Sequence, residues 1–168
     1  MLNKITYHWT AGRNIPNADE MSHYHFLIDS NGLVYKGKFA PEDNLNCTDG
    51  KYAQHCGGGN TGNIGIAFCG CYVPKGIAVK NSQFPLTQKQ LERGFKLGAE
   101  LAKKYNIPID REHIFTHYEF GLTHPKTSSA GKIDITYMHP FPTITKVACG
   151  NFIRTKVKWY FLKLTNSY

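Results

Sequence analysis

The segment from Thr87 to Tyr105 constrains this chain more than any other. Thr87 is a helix-capping residue type, and Gln88-Lys89-Gln90 follow it. Leu91, Phe95, Leu97, Gly98, Leu101 and Ala102 then recur at i, i+3/4, i+7 spacing, which predicts a helix with one apolar stripe. Ile107-Pro108 predicts its end near Tyr105, because the residue before a proline avoids helical backbone. Such a stripe has to be buried against another layer. Short strand-like segments on both sides supply one. Lys4 to Trp9 alternates loosely and reads as a strand ending at His8. Tyr24–Ile28 and Leu33–Tyr35 flank Asp29-Ser30-Asn31-Gly32, a hairpin signal built on Asn-Gly. Ile64–Cys69 reads as a buried strand and His113–His117 as a short one running into a loop. Residues 10–20, 40–63 and 125–131 read as loops, Pro140-Phe141-Pro142 as a break, and 143–162 as a final helix whose apolar residues keep neither period cleanly. Strands interleaved with helices predict an α/β fold, a single domain over residues 1–168 with a central mixed β-sheet flanked by helices.

A net charge of +8 favours an anionic partner, either nucleic acid or an anionic polymer such as a bacterial cell wall. No helix-turn-helix, zinc-finger or RNP motif supports nucleic acid. No run approaches the ~18 apolar residues that span a membrane. Met1-Leu2-Asn3-Lys4-Ile5 enters a strand directly, so no secretory signal is expected. The five cysteines, at 47, 56, 69, 71 and 149, are odd in number and lack zinc-knuckle or Cys-x-x-Cys spacing. They are expected to be reduced, with Cys69 and Cys71 on one face of a strand.

Three residues offer metal chemistry. His8 ends a strand, a rigid place for a ligand. His117 lies in Thr116-His117-Tyr118-Glu119, again where a strand meets a loop. Asp134 follows in Gly131-Lys132-Ile133-Asp134. Two imidazoles and a carboxylate would leave one of zinc's four positions open, the mark of a catalytic site. Taken singly, His8 also reads as a core histidine, and Lys132 with Asp134 as a solvated pair. In an extended segment Lys132 and Asp134 share a side, so a metal-binding carboxylate would bring an ammonium beside it. Tyr24 could orient water or donate to an oxyanion, or be a strand aromatic. His25 points the other way and reads as structural. His55, in a glycine loop, could touch substrate or simply be exposed. The glycines at 57–59 and 62 lack the Lys-Ser/Thr of a phosphate loop.

These motifs, in this order, resemble the type 2 N-acetylmuramoyl-L-alanine amidases, the zinc family that includes phage lysozymes and peptidoglycan recognition proteins. The resemblance runs from about residue 5 to about residue 142, leaving 143–168 as a C-terminal helix or tail. Its anchors are Tyr7–Gly12, Ser22–Asp29, Asn60–Ile66, Thr116–Glu119 and Gly131–Asp134. It implies that His8, His117 and Asp134 are zinc ligands at one edge of the sheet. It implies that Tyr24 and Lys132 are catalytic and that His55 lies near substrate. It also implies a peptidoglycan hydrolase cutting between N-acetylmuramic acid and L-alanine; a monomer is expected. Ala67 stands where the cytosolic recycling amidases carry a glutamate, so phage-type enzymes are the better match. Ile135-Thr136-Tyr137 replaces the Pro-Gly that often follows the aspartate, which changes the groove wall. The expected setting is an endolysin made in the bacterial cytoplasm and released by a holin. The rivals are a recognition module that binds peptidoglycan without cutting it, a recycling amidase, and a nucleic-acid-binding protein resting on charge alone.

Overall fold

The structure, a computed structural model, describes residues 1–167. Five strands form one mixed sheet in the order β3-β2-β4-β1-β5. They are β1 (Lys4–Trp9), β2 (Phe26–Ile28), β3 (Val34–Lys36), β4 (Asn63–Phe68) and β5 (Ile114–Thr116). β1 lies parallel to β4 and β5, β2 is parallel to β4, and β3 is antiparallel to β2 across the Asn-Gly hairpin. Among the described residues the sheet is accompanied by two short 3-10 helices and four α-helices: α1 (Ala18–His23), α2 (Gln88–Tyr105), α3 (His117–Thr123) and α4 (Cys149–Thr165). No helix among the described residues is long and apolar enough to cross a membrane.

The expected stripe on α2 is the core. Leu91, Phe95, Leu97, Leu101 and Ala102 bury against Ile5, Tyr7, Ile64, Ile66 and Phe68, the residues of β1 and β4 that point one way. Thr87 caps α2 as expected, accepting from the Gln90 amide while the Gln90 carboxamide accepts from the Thr87 amide. Asn106 closes the helix in left-handed backbone, φ 54°. A side chain at Gly94 would strike the Phe68 ring, so this glycine sets how closely α2 approaches the sheet. The Tyr7 hydroxyl uses that closeness to donate to the Gly94 carbonyl at 2.9 Å. Buried Gln90 donates to the carbonyls of Ile28 and Cys69 and ties the helix start to the strand ends.

Four local expectations are corrected. The 10–20 loop ends in α1, begun by Asn17 and Glu20 in a reciprocal capping box that satisfies the first free amides. Residues from His117 form α3 rather than a loop, because Thr116 caps and Glu119 reaches back to its amide. The final helix begins at Cys149, not 143, and only Cys149, Gly150, Ile153 and Val157 are buried along it. The cysteines are all free. Cys69 and Cys71 do not share a face: β4 ends at Phe68, and Cys71 turns with φ 70° into the main core. Cys69 instead packs with Leu27 and Ala67 on the other side.

Candidate metal centre

The strand period that sends Ile5 and Tyr7 to the helices sends Thr6 and His8 to the opposite face of β1. On β4 the same face carries Asn63, Gly65 and Ala67. His117 is the first residue of α3, immediately after β5, the other neighbour of β1. Asp134 arrives from a loop, and its carbonyl accepts the Tyr118 amide at 2.7 Å. One of the free amides at the start of α3 therefore anchors the aspartate beside His117. From the far side, Arg154 of α4 donates to both carboxylate oxygens of Glu119 at 2.8 and 2.9 Å, and to the Ile114 carbonyl. A bidentate pair of this kind fixes α3 against β5.

The result is a three-residue cluster at the C-terminal edge of the sheet. One donor atom from each of His8, His117 and Asp134 lies within 4.8 Å of the others. His8 Nδ1 stands 2.8 Å, and His117 Nδ1 3.4 Å, from Asp134 Oδ2. All three side chains are buried. Desolvation lowers the His8 pKa to about 4, with the nearby Asp134 opposing. Burial alone would raise the Asp134 carboxyl, but the two adjoining imidazoles hold it below the usual carboxylate range. A neutral imidazole and an ionised carboxylate are the ligand states a divalent cation needs. Two nitrogens and one oxygen, open on one side to a groove, match the donor set of a catalytic metal site. The residues present fit a metal ion.

The groove encloses about 490 Å³. Trp9, Tyr24, His55, Lys132 and Ile133 line it together with His117 and Asp134. Of the expected site residues the structure thus brings all six together. The Tyr24 ring sits 5.1 Å from the His8 ring, centroid to centroid. Tyr24 is half-buried, and desolvation, helped by the Asp134 charge, pushes its hydroxyl above the usual phenol range. Lys132 is exposed at the rim.

His55 is not an exposed loop residue: it is 5 % exposed and both its ring nitrogens bond within the protein. Nδ1 lies 3.0 Å from His8 Nε2, and Nε2 lies 3.1 Å from the Asn63 carbonyl. Burial, then the neighbouring His8 and His25, lower its pKa well below the ordinary imidazole value. Gly65 makes the room, since a Cβ there would stand 2.7 Å from the His55 ring. His25 is structural as expected, bonding Asn44 and accepting the Gly65 amide at 2.9 Å, but it does not point away from the site: its ring lies 5.5 Å from that of His55. One residue escaped sequence reasoning altogether. Ser129 is fully buried, 2.9 Å from His117 Nε2 and 2.7 Å from the Gly57 carbonyl. A serine in Thr127-Ser128-Ser129 has no period or motif that marks it.

Comparison with known proteins agrees with this fold. Three solved structures share the fold. LysC, an N-acetylmuramoyl-L-alanine amidase from Clostridium intestinale URNW, is 20% identical with a TM-score of 0.56, covering 93% of this chain and 85% of its own. PlyL is 18% identical with a TM-score of 0.50, covering 94% and 84%. A point mutant of PlyL is 24% identical with a TM-score of 0.51, covering 94% and 86%. No curated protein matches the sequence. The profile of the N-acetylmuramoyl-L-alanine amidase family matches residues 2–134, from the start of β1 through the last residue of the cluster, and the chain belongs to that family.

Proposed function

We propose that this amidase is a zinc-dependent peptidoglycan hydrolase that cuts the amide between N-acetylmuramic acid and the L-alanine of the stem peptide. The observation that carries this reading is the convergence of His8, His117 and Asp134 on a groove that Tyr24 and Lys132 also line. Those three residues would hold the ion, and a zinc bound there would supply Lewis-acid chemistry, polarising an acyl oxygen and lowering the pKa of water towards neutrality. Tyr24 keeps its proton at neutral pH as any phenol does, more firmly for its burial, and donates from Oη to the attacking water or the developing oxyanion. Lys132 brings an ammonium from the groove rim to the same developing charge. A net charge of +8 supports action on an anionic wall.

We read the enzyme as an endolysin of the phage type. Two features support this. β4 reads Asn63-Ile64-Gly65-Ile66-Ala67-Phe68 and offers no carboxylate to act as a general base. Tyr24 and Lys132 line the groove instead as donors to the attacking water and the developing oxyanion, the arrangement of the phage-type enzymes.

The test is to incubate zinc-loaded protein with purified peptidoglycan and identify soluble products by mass spectrometry, beside a chelated control. Free stem peptides beginning at L-alanine are expected, lost on chelation and restored by zinc. Binding to the wall with no released peptide would overturn the hydrolase reading. Cleavage of small soluble muropeptides alone would overturn the endolysin reading.

A further inference from the structure

A histidine that binds metal through one ring nitrogen must carry its proton on the other, and a neighbouring acceptor decides which. Two hydrogen-bond chains beneath the cluster make that decision. The first starts at the Asn63 main-chain carbonyl, which can only accept. His55 Nε2, 3.1 Å away, therefore carries a proton. His55 is buried, its ring nitrogens meet only His8 and that carbonyl, and the rings around it are His8 and His25. It has no carboxylate to make it an imidazolium, so its Nδ1 is an acceptor. His8 Nε2, 3.0 Å from that atom, must then donate. In a neutral His8 the proton on Nε2 leaves none on Nδ1, so Nδ1 and Asp134 Oδ2, 2.8 Å apart, face each other as two lone-pair donors that a cation would join.

The second chain starts at the Gly57 main-chain carbonyl. Ser129 donates its hydroxyl proton there at 2.7 Å. Its Oγ then accepts from His117 Nε2 at 2.9 Å. His117 Nδ1 is left bare, also facing Asp134. His55 and Gly57 belong to one glycine-rich loop, which ends where Asn63 begins β4.

We propose, resting on the metal-centre reading above, that loop 55–63 is a tautomer clamp. Through His55 and Ser129 it holds His8 and His117 as Nε2–H imidazoles and commits both Nδ1 atoms to the metal. His55 and Ser129 are positioning residues. This explains why a histidine is buried under the site against Gly65. It also gives the glycine loop a task other than phosphate binding.

The test uses the zinc-loaded protein labelled with nitrogen-15 at histidine. Nuclear magnetic resonance reads each ring's tautomer directly. Expected are His55 in the Nε2–H form and a scalar coupling between His8 Nε2 and His55 Nδ1 across the shared proton. His55 in the Nδ1–H form, or averaging between forms, would overturn the clamp. Zinc affinity, measured against a competing chelator, is the second readout. His55→Phe keeps ring volume without the acceptor, and Ser129→Ala removes one oxygen. Each is expected to weaken zinc binding about 10- to 100-fold. His55→Asn, which returns an acceptor near the Nδ1 position, and Ser129→Thr are expected to recover most of it. Wild-type affinity in both His55→Phe and Ser129→Ala overturns the clamp; if His55→Phe does not fold, Ser129→Ala and the tautomers decide. Protein that binds zinc and cleaves peptidoglycan with the wrong tautomers loses the clamp alone. Protein that binds no zinc loses the metal-centre reading and the clamp together.

Discussion

The two faces of the central sheet are made from alternate residues of the same strands, yet they obey different rules. On one face Ile5, Tyr7, Ile64, Ile66 and Phe68 meet α2 and α4. On the other, Thr6, His8, Asn63, Gly65 and Ala67 carry the candidate site. The helix face asks mainly for apolar volume, which many residues could supply. The site face asks for a partner at each buried polar atom, and among the described residues every such side-chain atom has one. Thr6 and Asn63 bond each other at 2.8 and 3.0 Å, His25 is held by Asn44 and Gly65, and His55 by Asn63. The lesson is that one face supplies stability and the other a fixed geometry at some expense in desolvation.

The contrast can be broken from either side. The largest expected effect is on the site face. His8→Ala removes a ligand and should take bound zinc and turnover to background together, read by metal analysis and peptidoglycan digestion. Full zinc occupancy in the purified variant would count against ligation. On the helix face, Phe95→Ala should cost about 3–5 kcal/mol in denaturant unfolding, because a fully buried ring packed on Phe68 and Phe152 leaves a cavity. Zinc stoichiometry of the folded fraction should be unchanged. A loss under about 1 kcal/mol would mean that this core is not what holds the sheet.

Lys132→Ala should lower turnover about 100- to 1000-fold with zinc still bound, and Tyr24→Phe should act in the same sense. Wild-type turnover in both would remove them from the mechanism. The smallest effect separates the faces by pH. Burial lowers the folded His25 pKa from 6.5 to about 4. Between those values the unfolded chain takes a proton that folded His25 refuses. Stability of the metal-free protein should therefore fall as pH drops through that window, by up to about 1.4 kcal/mol per unit for this one group. His25→Gln should flatten the slope, and an unchanged slope would assign it to other residues.

The same contrast explains what was legible in the sequence. Volume leaves periodicity, so α2, β1, β4 and the hairpin could be read from spacing. α4 was placed but begun too early, because only a few of its residues are buried and its apolar positions follow no clean period. α1 was legible in principle: Asn17-Ala18-Asp19-Glu20 is a capping signature, hidden in a segment rich in loop-forming residues. Motif order brought His8, His117 and Asp134 forward. Hydrogen-bond partners leave no period. His55 was noticed, but its burial depends on Gly65, and nothing in the chain pairs those two positions. Ser129 gave no signal, since its role exists only once α3 and loop 55–63 are folded against each other.

The most direct test of the account is to locate the metal in crystals of the zinc-loaded protein by anomalous diffraction at the zinc edge. The account predicts one strong peak per chain, ligated by His8 Nδ1, His117 Nδ1 and Asp134 with a fourth position facing the groove. A peak bound by cysteine sulfur, a peak on the ring Nε2 atoms, or none at full zinc loading would contradict it.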